Sequence, residues 1–225
     1  MTAVPAKSPV VGTPISTTSY AEVLEVIHHR PRSKATVVSV CNVHSVMSAR
    51  TDPELAAALR ESDVATPDGV PLVWALRWTS NPGQQRVYGP ELMRRALVDD
   101  DRRQWRHYLY GSTDDTLAAL VQSIHGFAPN AHIVGQTAPP FRPPTDEEQQ
   151  RDIEAIRASG ADVVWVGLGM PKQEIWMRAV RDRIPGVALV GVGAAFDFLA
   201  GTVDQAPAWM QRAGLEWLYR CLLYT

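Results

Sequence analysis

From Ala35 onward, short apolar runs rich in β-branched residues alternate with segments whose apolar positions recur at helical spacing. The runs Thr36 to Cys41, Asp63 to Thr66, His107 to Tyr110, Ala131 to Val134, Asp162 to Val166 and Val187 to Val192 predict strands. Alternation of this kind predicts an α/β fold, a Rossmann-like, mostly parallel sheet with helices on both faces, formed in a single domain. Helix starts are marked where a hydroxyl is followed three residues later by a carboxylate, a pairing that satisfies free amides: Ser19 with Glu22, Thr51 with Glu54, and Thr145 with Glu148. The proline-rich piece Ala138 to Pro144 reads as a rigid loop, since the alternating pattern resumes directly after it. There is no internal repeat. Residues 1–14, with three prolines, are expected to be a flexible N-terminal arm, residues 15–205 the α/β core, and residues 206–225 a C-terminal helix.

Two of the strand-to-helix junctions carry paired glycines. In the first, Val166 leads into Gly167-Leu168-Gly169-Met170-Pro171-Lys172-Gln173-Glu174; in the second, Gly191-Val192-Gly193-Ala194-Ala195-Phe196-Asp197 closes an apolar run. Glycine lets backbone approach a ligand, and the first amides of the following helix have no partner within it. Such turns bind phosphate. Pro171 suits a helix's opening position, which puts Lys172 and Gln173 in the first turn, where amides and dipole favour an anion. In an open parallel sheet ligands lie beyond the carboxyl ends of the strands. The segments to collect are therefore Asn42 to His44, Thr66-Pro67-Asp68-Gly69, Gly111-Ser112, Gly167 to Gln173, and Gly191 to Asp197. Asp68 is a carboxylate flanked by turn residues at such a strand end.

Composition narrows the classes. At 225 residues and 45% hydrophobic, the chain carries enough apolar material for one sizeable core. A net charge of -2 gives no overall drive toward nucleic acid, which is not an expected partner. The two cysteines, Cys41 and Cys221, belong to no CxxC or Cys/His cluster and suit a reducing cytoplasm. The first residues resemble neither a signal peptide nor a membrane span, and the longest apolar runs are strand-length, so membrane contact is expected to be peripheral.

Taken in order, the residues resemble the WecG/TagA/CpsF glycosyltransferases of bacterial cell-surface polymer synthesis. The matching motifs are Asn42-Val43-His44, Pro67-Asp68-Gly69, Arg86-Val87-Tyr88-Gly89-Pro90-Glu91-Leu92, Tyr110-Gly111-Ser112, Gly167 through Trp176, Gly191 through Gly201, and Ala206 through Arg220. Seven collinear motifs are specific where a lone GxG is not. The resemblance implies an inverting transfer of a sugar, N-acetylmannosamine or a related hexose, from a UDP donor to a saccharide linked to a polyprenyl pyrophosphate. It also implies a place at the inner face of the cell membrane, with self-association left open. By motif position Asp68 looks like the general base and Asn42 like a lining residue that positions the acceptor or the base. A carboxylate in reach of the acceptor hydroxyl can take its proton as the new bond forms.

On the donor side, Arg86 and Gln173 are placed to meet the charge that collects on the departing diphosphate, with Lys172 as a secondary candidate. Gly111, Ser112, Gly167, Gly169, Gly191 and Gly193 supply the turn backbone. Asp197, between Phe196 and Phe198, reads more as support than as catalysis, holding an arginine or backbone amides. The family commonly has threonine two residues before the asparagine; this chain has Val40 there, with Ser39 beside it. Relatives continue past Trp217-Leu218-Tyr219-Arg220 into a basic amphipathic appendage, so residues 206–225 are expected to be the start of one that is truncated or absent here.

The blander readings differ by residue. An isolated Asp-Gly is commonly a turn or helix cap, an Asn after a strand a side-chain turn, and Trp176, Trp209 and Trp217 core packing rather than a groove. His44 has no partner at ligand spacing for zinc. Asp99-Asp100-Asp101 resembles the metal-binding Asp-x-Asp of other sugar transferases, but it ends an amphipathic helix before Arg102-Arg103 and reads as a solvated turn. No metal or cofactor is expected. Two other classes stay open: a dinucleotide-binding oxidoreductase, against which stands the lack of GxGxxG after the first strand, and a non-catalytic nucleotide- or partner-binding relative.

Overall fold

Strands buried on both faces need apolar residues at every position, and this chain's central strands alternate between two cores. In β3 (Thr36–Cys41), Val38 and Val40 point to one core and Val37 to the other; in β7 (Val163–Gly167), Val163 and Trp165 are opposed by Val164 and Val166. In the computed structural model, residues 4–99, 103–207 and 210 are described. Within them β3, β4 (Val64–Pro67), β5 (Arg106–Gly111), β6 (His132–Thr137), β7 and β8 (Ala188–Gly191) form a six-stranded parallel sheet of order β4-β3-β8-β7-β5-β6. The α/β reading holds, and each predicted strand is present with ends shifted by up to a few residues.

Helices cover both faces. One core takes the apolar sides of α1 (Tyr20–His28), α5 (Gly89–Val98), α6 (Asp114–Phe127) and α9 (Ala195–Ala200). The other takes α7 (Asp146–Ser159) and α8 (Lys172–Val180). A third cluster, at the β4 edge, packs α2 (Val43–Ser48), α3 (Pro53–Glu61) and α4 (Val70–Thr79).

The N-terminal segment departs from the sequence reading. Residues expected to be a flexible arm form β1 (Lys7–Val10), which pairs antiparallel with β2 (Thr13–Ser16). Their hairpin is sewn to the core: Ser16 Oγ accepts from Ala65 N at 3.0 Å, and Gln84 Oε1 accepts from Thr18 N at 3.1 Å. The prolines that suggested a loose arm, Pro9 and Pro14, face each other across the hairpin of a two-stranded sheet, where an absent amide costs no central ladder bond. Of the expected C-terminal helix, residues 206, 207 and 210 are described; Trp209, Trp217 and Cys221 lie outside the described residues.

Two of the three capping boxes form, at Ser19 and at Thr145. The third does not. Asp52 caps α3, accepting from the amides of Glu54 and Leu55 at 3.0 Å each, because Pro53 with its fixed φ takes the first helical position. Asp63 and Asp162, read as the first residues of strands, sit just before them. Asp63 accepts from Val37 N at 2.9 Å and pairs with Arg181, and Asp162 pairs with Arg30 and Arg106, so both brace the amino end of the sheet.

Gly111 sets the spacing of β5 against β7. Its φ is +133°, and a Cβ there would lie 2.5 Å from the carbonyl of Gly167. Gly111→Ala is expected to lower stability by about 2 kcal/mol or more, read as a drop in denaturant midpoint. Gly126→Ala, inside α6 with nothing within 4 Å of the added methyl, should hold or raise it. Equal midpoints for the two variants would show that β5 and β7 part freely.

Candidate active site

All five segments picked out by the strand-end rule lie at the carboxyl edge of the sheet, beside two cavities of about 680 Å³ each; Gly111-Ser112, Gly167 to Gln173 and Gly191 to Asp197 supply residues to the lining of the second, whereas Asn42 to His44 and Thr66 to Gly69 line neither. Tyr20, Trp74, Arg77, Arg86, Tyr88 and Leu199 are among the residues lining the first; Ser112, Gly167, Gly169, Lys172, Gly193 and Asp197 are among those lining the second. The turn after β8 lies between them. A Cβ on Gly89 would come within 3.2 Å of Val192 O, so the segment bearing Arg86 packs on this turn, while Gly193 and Ala194 face the second cavity.

Asp68 follows β4, with its amide donating to Cys41 O at 2.8 Å. The segment after α4 runs back along the end of β4, where Val87 N donates to Pro67 O at 3.0 Å and Thr66 Oγ1 to Val87 O at 3.3 Å. Arg86 is thereby delivered to Asp68. Its Nε and Nη2 both donate to Asp68 Oδ1, at 3.0 and 2.8 Å, and Nε also meets the Asp68 carbonyl. The guanidinium stacks on Tyr88, 4.3 Å from the ring centroid. Two residues assigned by the resemblance to opposite sides of the reaction, base and donor contact, are thus one ion pair beside the first cavity.

Asn42 serves locally as a cap. Its Oδ1 accepts from Ser45 N at 3.0 Å and so starts α2, a helix the periodicity does not reveal. It sits beside Asp68 in space, since a Cβ on Gly69 would lie 3.7 Å from Asn42 Cα. Val40 packs in the core and the Ser39 hydroxyl is buried without a partner among the described residues, so neither brings a hydroxyl to a cavity. His44 is exposed on α2.

In the second cavity the glycines have two duties. Gly111 and Gly167 permit close packing: a Cβ on Gly167 would strike the Phe196 ring at 2.7 Å. Gly169 and Gly193, at φ +75° and +56°, turn the chain toward the helices that follow. Ser112 also lies at positive φ, +57°, and donates its amide to Gly167 O at 3.2 Å. Lys172 and Gln173 begin α8, with Pro171 one residue earlier than expected as its N-cap. Lys172 Nζ reaches Phe141 O at 3.3 Å. The rigid loop after β6 therefore forms a wall of the cavity, which the strand-end rule would have found had it been applied to β6. Asp197 has no arginine partner among the described residues; burial pushes its carboxyl up from the usual range, against a bond to its own amide. Trp176 is buried and stacks on Tyr110 at 4.3 Å, in keeping with core packing.

Gln173 is neither surface-exposed nor aimed at a cavity. It is 3% exposed; its Oε1 accepts from Gly193 N at 3.0 Å, and its Nε2 donates to Glu174 Oε1 at 2.8 Å. Gly191 belongs to the same contact, because a Cβ there would lie 3.2 Å from Gln173 Nε2 and 2.7 Å from Met177 Cε. The relay Glu174–Gln173–Gly193 orients the amide of Gln173 and fixes the turn that lies between the two cavities. Glu174 was missed by the sequence reading. It is 2% exposed, its Oε2 has no partner among the described residues, and desolvation raises its carboxyl to about 7.

The folded state therefore holds a proton that the unfolded chain releases. Glu174's contribution is fully present below about pH 4.5 and is lost as pH rises to about 7, on the order of 3 kcal/mol over that window. Glu174→Gln keeps an acceptor for Gln173 and cannot ionise, so its stability should fall less than that of the parent between pH 5 and 8 in paired denaturant titrations. Parallel pH profiles would remove Glu174 from this role.

Among the described residues no three His, Cys, Asp or Glu side chains group to hold a metal ion, and Asp99 pairs with Arg103 at 3.0 Å; Asp100 and Asp101 lie outside them. The chain matches the model of the Glycosyl transferase WecG/TagA/CpsF family over residues 8–224. It is 31% identical over 208 residues to the N-acetylglucosaminyldiphosphoundecaprenol N-acetyl-beta-D-mannosaminyltransferase of Bacillus subtilis (strain 168), covering 92% of this chain and 78% of that protein. To the protein of the same name from Bacillus spizizenii (strain ATCC 23059 / NRRL B-14472 / W23) it is 29% identical over 205 residues, or 91% and 77% of the two chains. With the strand-end site and these matches in place, the chain belongs to the WecG/TagA/CpsF family of glycosyltransferases.

Proposed function

We propose that this chain is an inverting glycosyltransferase that moves N-acetylmannosamine or a related hexose from a UDP donor to a saccharide carried on a polyprenyl diphosphate. The observation that supports it most is the Asp68–Arg86 pair, a carboxylate held in a fixed orientation beside one cavity and one turn away from another. The donor occupies the second cavity, with its diphosphate at the start of α8, where the helix dipole and Lys172 meet the charge. Ser112, Gly167, Gly169, Gly193 and Asp197 shape that seat; Gly111, Gly191 and Gln173 hold its walls. The acceptor enters through the first cavity.

Transfer is a single displacement. The acceptor hydroxyl oxygen bonds to the anomeric carbon as the bond to the β-phosphate oxygen breaks, UDP leaves with that electron pair, and Asp68 takes the hydroxyl proton. Asn42 packs beside Gly69, the residue that follows Asp68. Arg86 acts through Asp68, fixing the orientation of its carboxylate by the two bonds to Oδ1. No helix among the described residues is long and apolar enough to cross a membrane, and a lipid-linked acceptor is reached by peripheral contact at the cytoplasmic face.

Asp68→Asn should lower turnover by at least about 100-fold while leaving affinity for the UDP-sugar unchanged, as measured by initial rates beside calorimetry. Full turnover in that variant would overturn the base assignment. Arg86→Ala should cost turnover by a similar order with little change in UDP affinity, whereas a selective loss of UDP over uridine binding would return Arg86 to the diphosphate. Turnover is expected to survive a chelator; activity abolished by it and restored by manganese would establish a metal route.

A further inference from the structure

The α4 helix buries Leu72, Val73 and Leu76 and turns Trp74 and Trp78 outward, one helical turn apart, 58% and 92% exposed. Val43 and Met47 of α2 are exposed on the neighbouring helix, and Val43 Cγ2 would lie 3.6 Å from a Cβ on Gly69 at the start of α4. Trp74 also lines the first cavity, together with Val70 and Val73, so an apolar strip leads from open surface into the cavity beside Asp68 and Arg86. The cavity carries cations as well. Among the described residues Arg77, Arg86 and Arg94 line it against Glu91 as the one acid, a lining charge of three minus one. Arg94 is engaged by Glu91, but Arg77 donates only to a carbonyl, Gln84 O at 2.8 Å, and has no carboxylate partner among the described residues.

An apolar ramp that ends at an arginine with no acid partner among the described residues fits an amphiphile with an anionic head. We propose that the Trp74–Trp78 face and the cavity it borders seat an isoprenyl diphosphate, its hydrocarbon units along the two indoles and its diphosphate against Arg77. This rests on the proposed function, for which it supplies the acceptor's path: the attached saccharide reaches past Arg77 toward Asp68. Charge complementarity selects the occupant. A second copy of this chain would need an interface of roughly 800 Å² per partner, well beyond four apolar side chains, and would gain nothing from the cationic end.

The test is binding to the full chain, which needs no sugar transfer. Geranylgeranyl diphosphate, measured by calorimetry, should bind at least about tenfold tighter than inorganic pyrophosphate, since only the former covers the indoles. The double variant Trp74→Ser/Trp78→Ser should lose that advantage while unfolding at the parent's temperature, and Arg77→Gln should weaken both ligands. Lipid binding no tighter than pyrophosphate, or undiminished in the double variant, overturns the proposal. So does a double variant that loses binding to anionic vesicles free of isoprenyl lipid while still binding geranylgeranyl diphosphate, which would mark a general membrane contact. A double variant changed only in oligomeric state would assign the face to self-association and equally overturn it. Intact lipid binding in a chain that transfers no sugar would leave this site standing and remove the proposed function.

Discussion

Insertion of β8 between β3 and β7 is the constraint on which the site depends. The chain builds β3 and β4 early and β5 to β7 later, and only β8, hydrogen-bonded to both groups, puts their carboxyl ends side by side. The second cavity borders the turn that follows it, and the segment from Arg86 to Glu91 that walls the first packs on the same turn. Because the sheet is buried on both faces, register errors are heavily penalised: shifting β8 by one residue would exchange Leu189 with Ala188 and Val190 between two packed cores.

Fixing that turn takes buried polar groups, which cost free energy unless they are paired. Gln173 resolves this by pointing one end at Gly193 and the other at Glu174, while the glycines allow the approach. The remaining oxygen of Glu174 has no partner among the described residues, so neutralisation of the carboxyl, rather than an ion pair, settles its burial. Rigidity at the site is thus obtained from an arrangement that favours the protonated acid. Asp68 is handled in the opposite way, by a guanidinium in direct contact.

The architecture was readable because strands with two buried faces leave unmistakable β-branched runs, and because parallel connections follow one rule for where ligands lie. The strand-end rule also collects the five segments that lie at the carboxyl edge of the sheet. What escaped it were features decided by tertiary contact. The β1–β2 hairpin reads as a proline-bearing arm until its bonds to Ala65 and Gln84 are seen. Gln173 and Glu174 sit in a helix's first turn, where surface exposure is the default. Asp68 and Arg86 are 18 positions apart, and no periodicity reports that a non-strand segment folds back along β4 to join them. For α4, Val70-Pro71-Leu72-Val73-Trp74-Ala75-Leu76 is apolar nearly all round, so its pattern does not say which face lies inside.

That last ambiguity bears on function. A helix apolar on every side is normally buried, yet α4 exposes two indoles beside a cavity of mixed apolar and cationic lining. Nothing in the α4 packing requires them, since Leu72 and Leu76 already fill the edge core. The second cavity sets glycine turns and Lys172 against a proline-rich wall that carries the exposed Phe141, a lining that offers both an apolar face and a cation. In the proposed reaction that pairing suits a nucleotide, a base to pack and phosphates to hold, as the first cavity suits the lipid-borne acceptor. The turn after β8, between the two cavities, is where their reacting ends would meet.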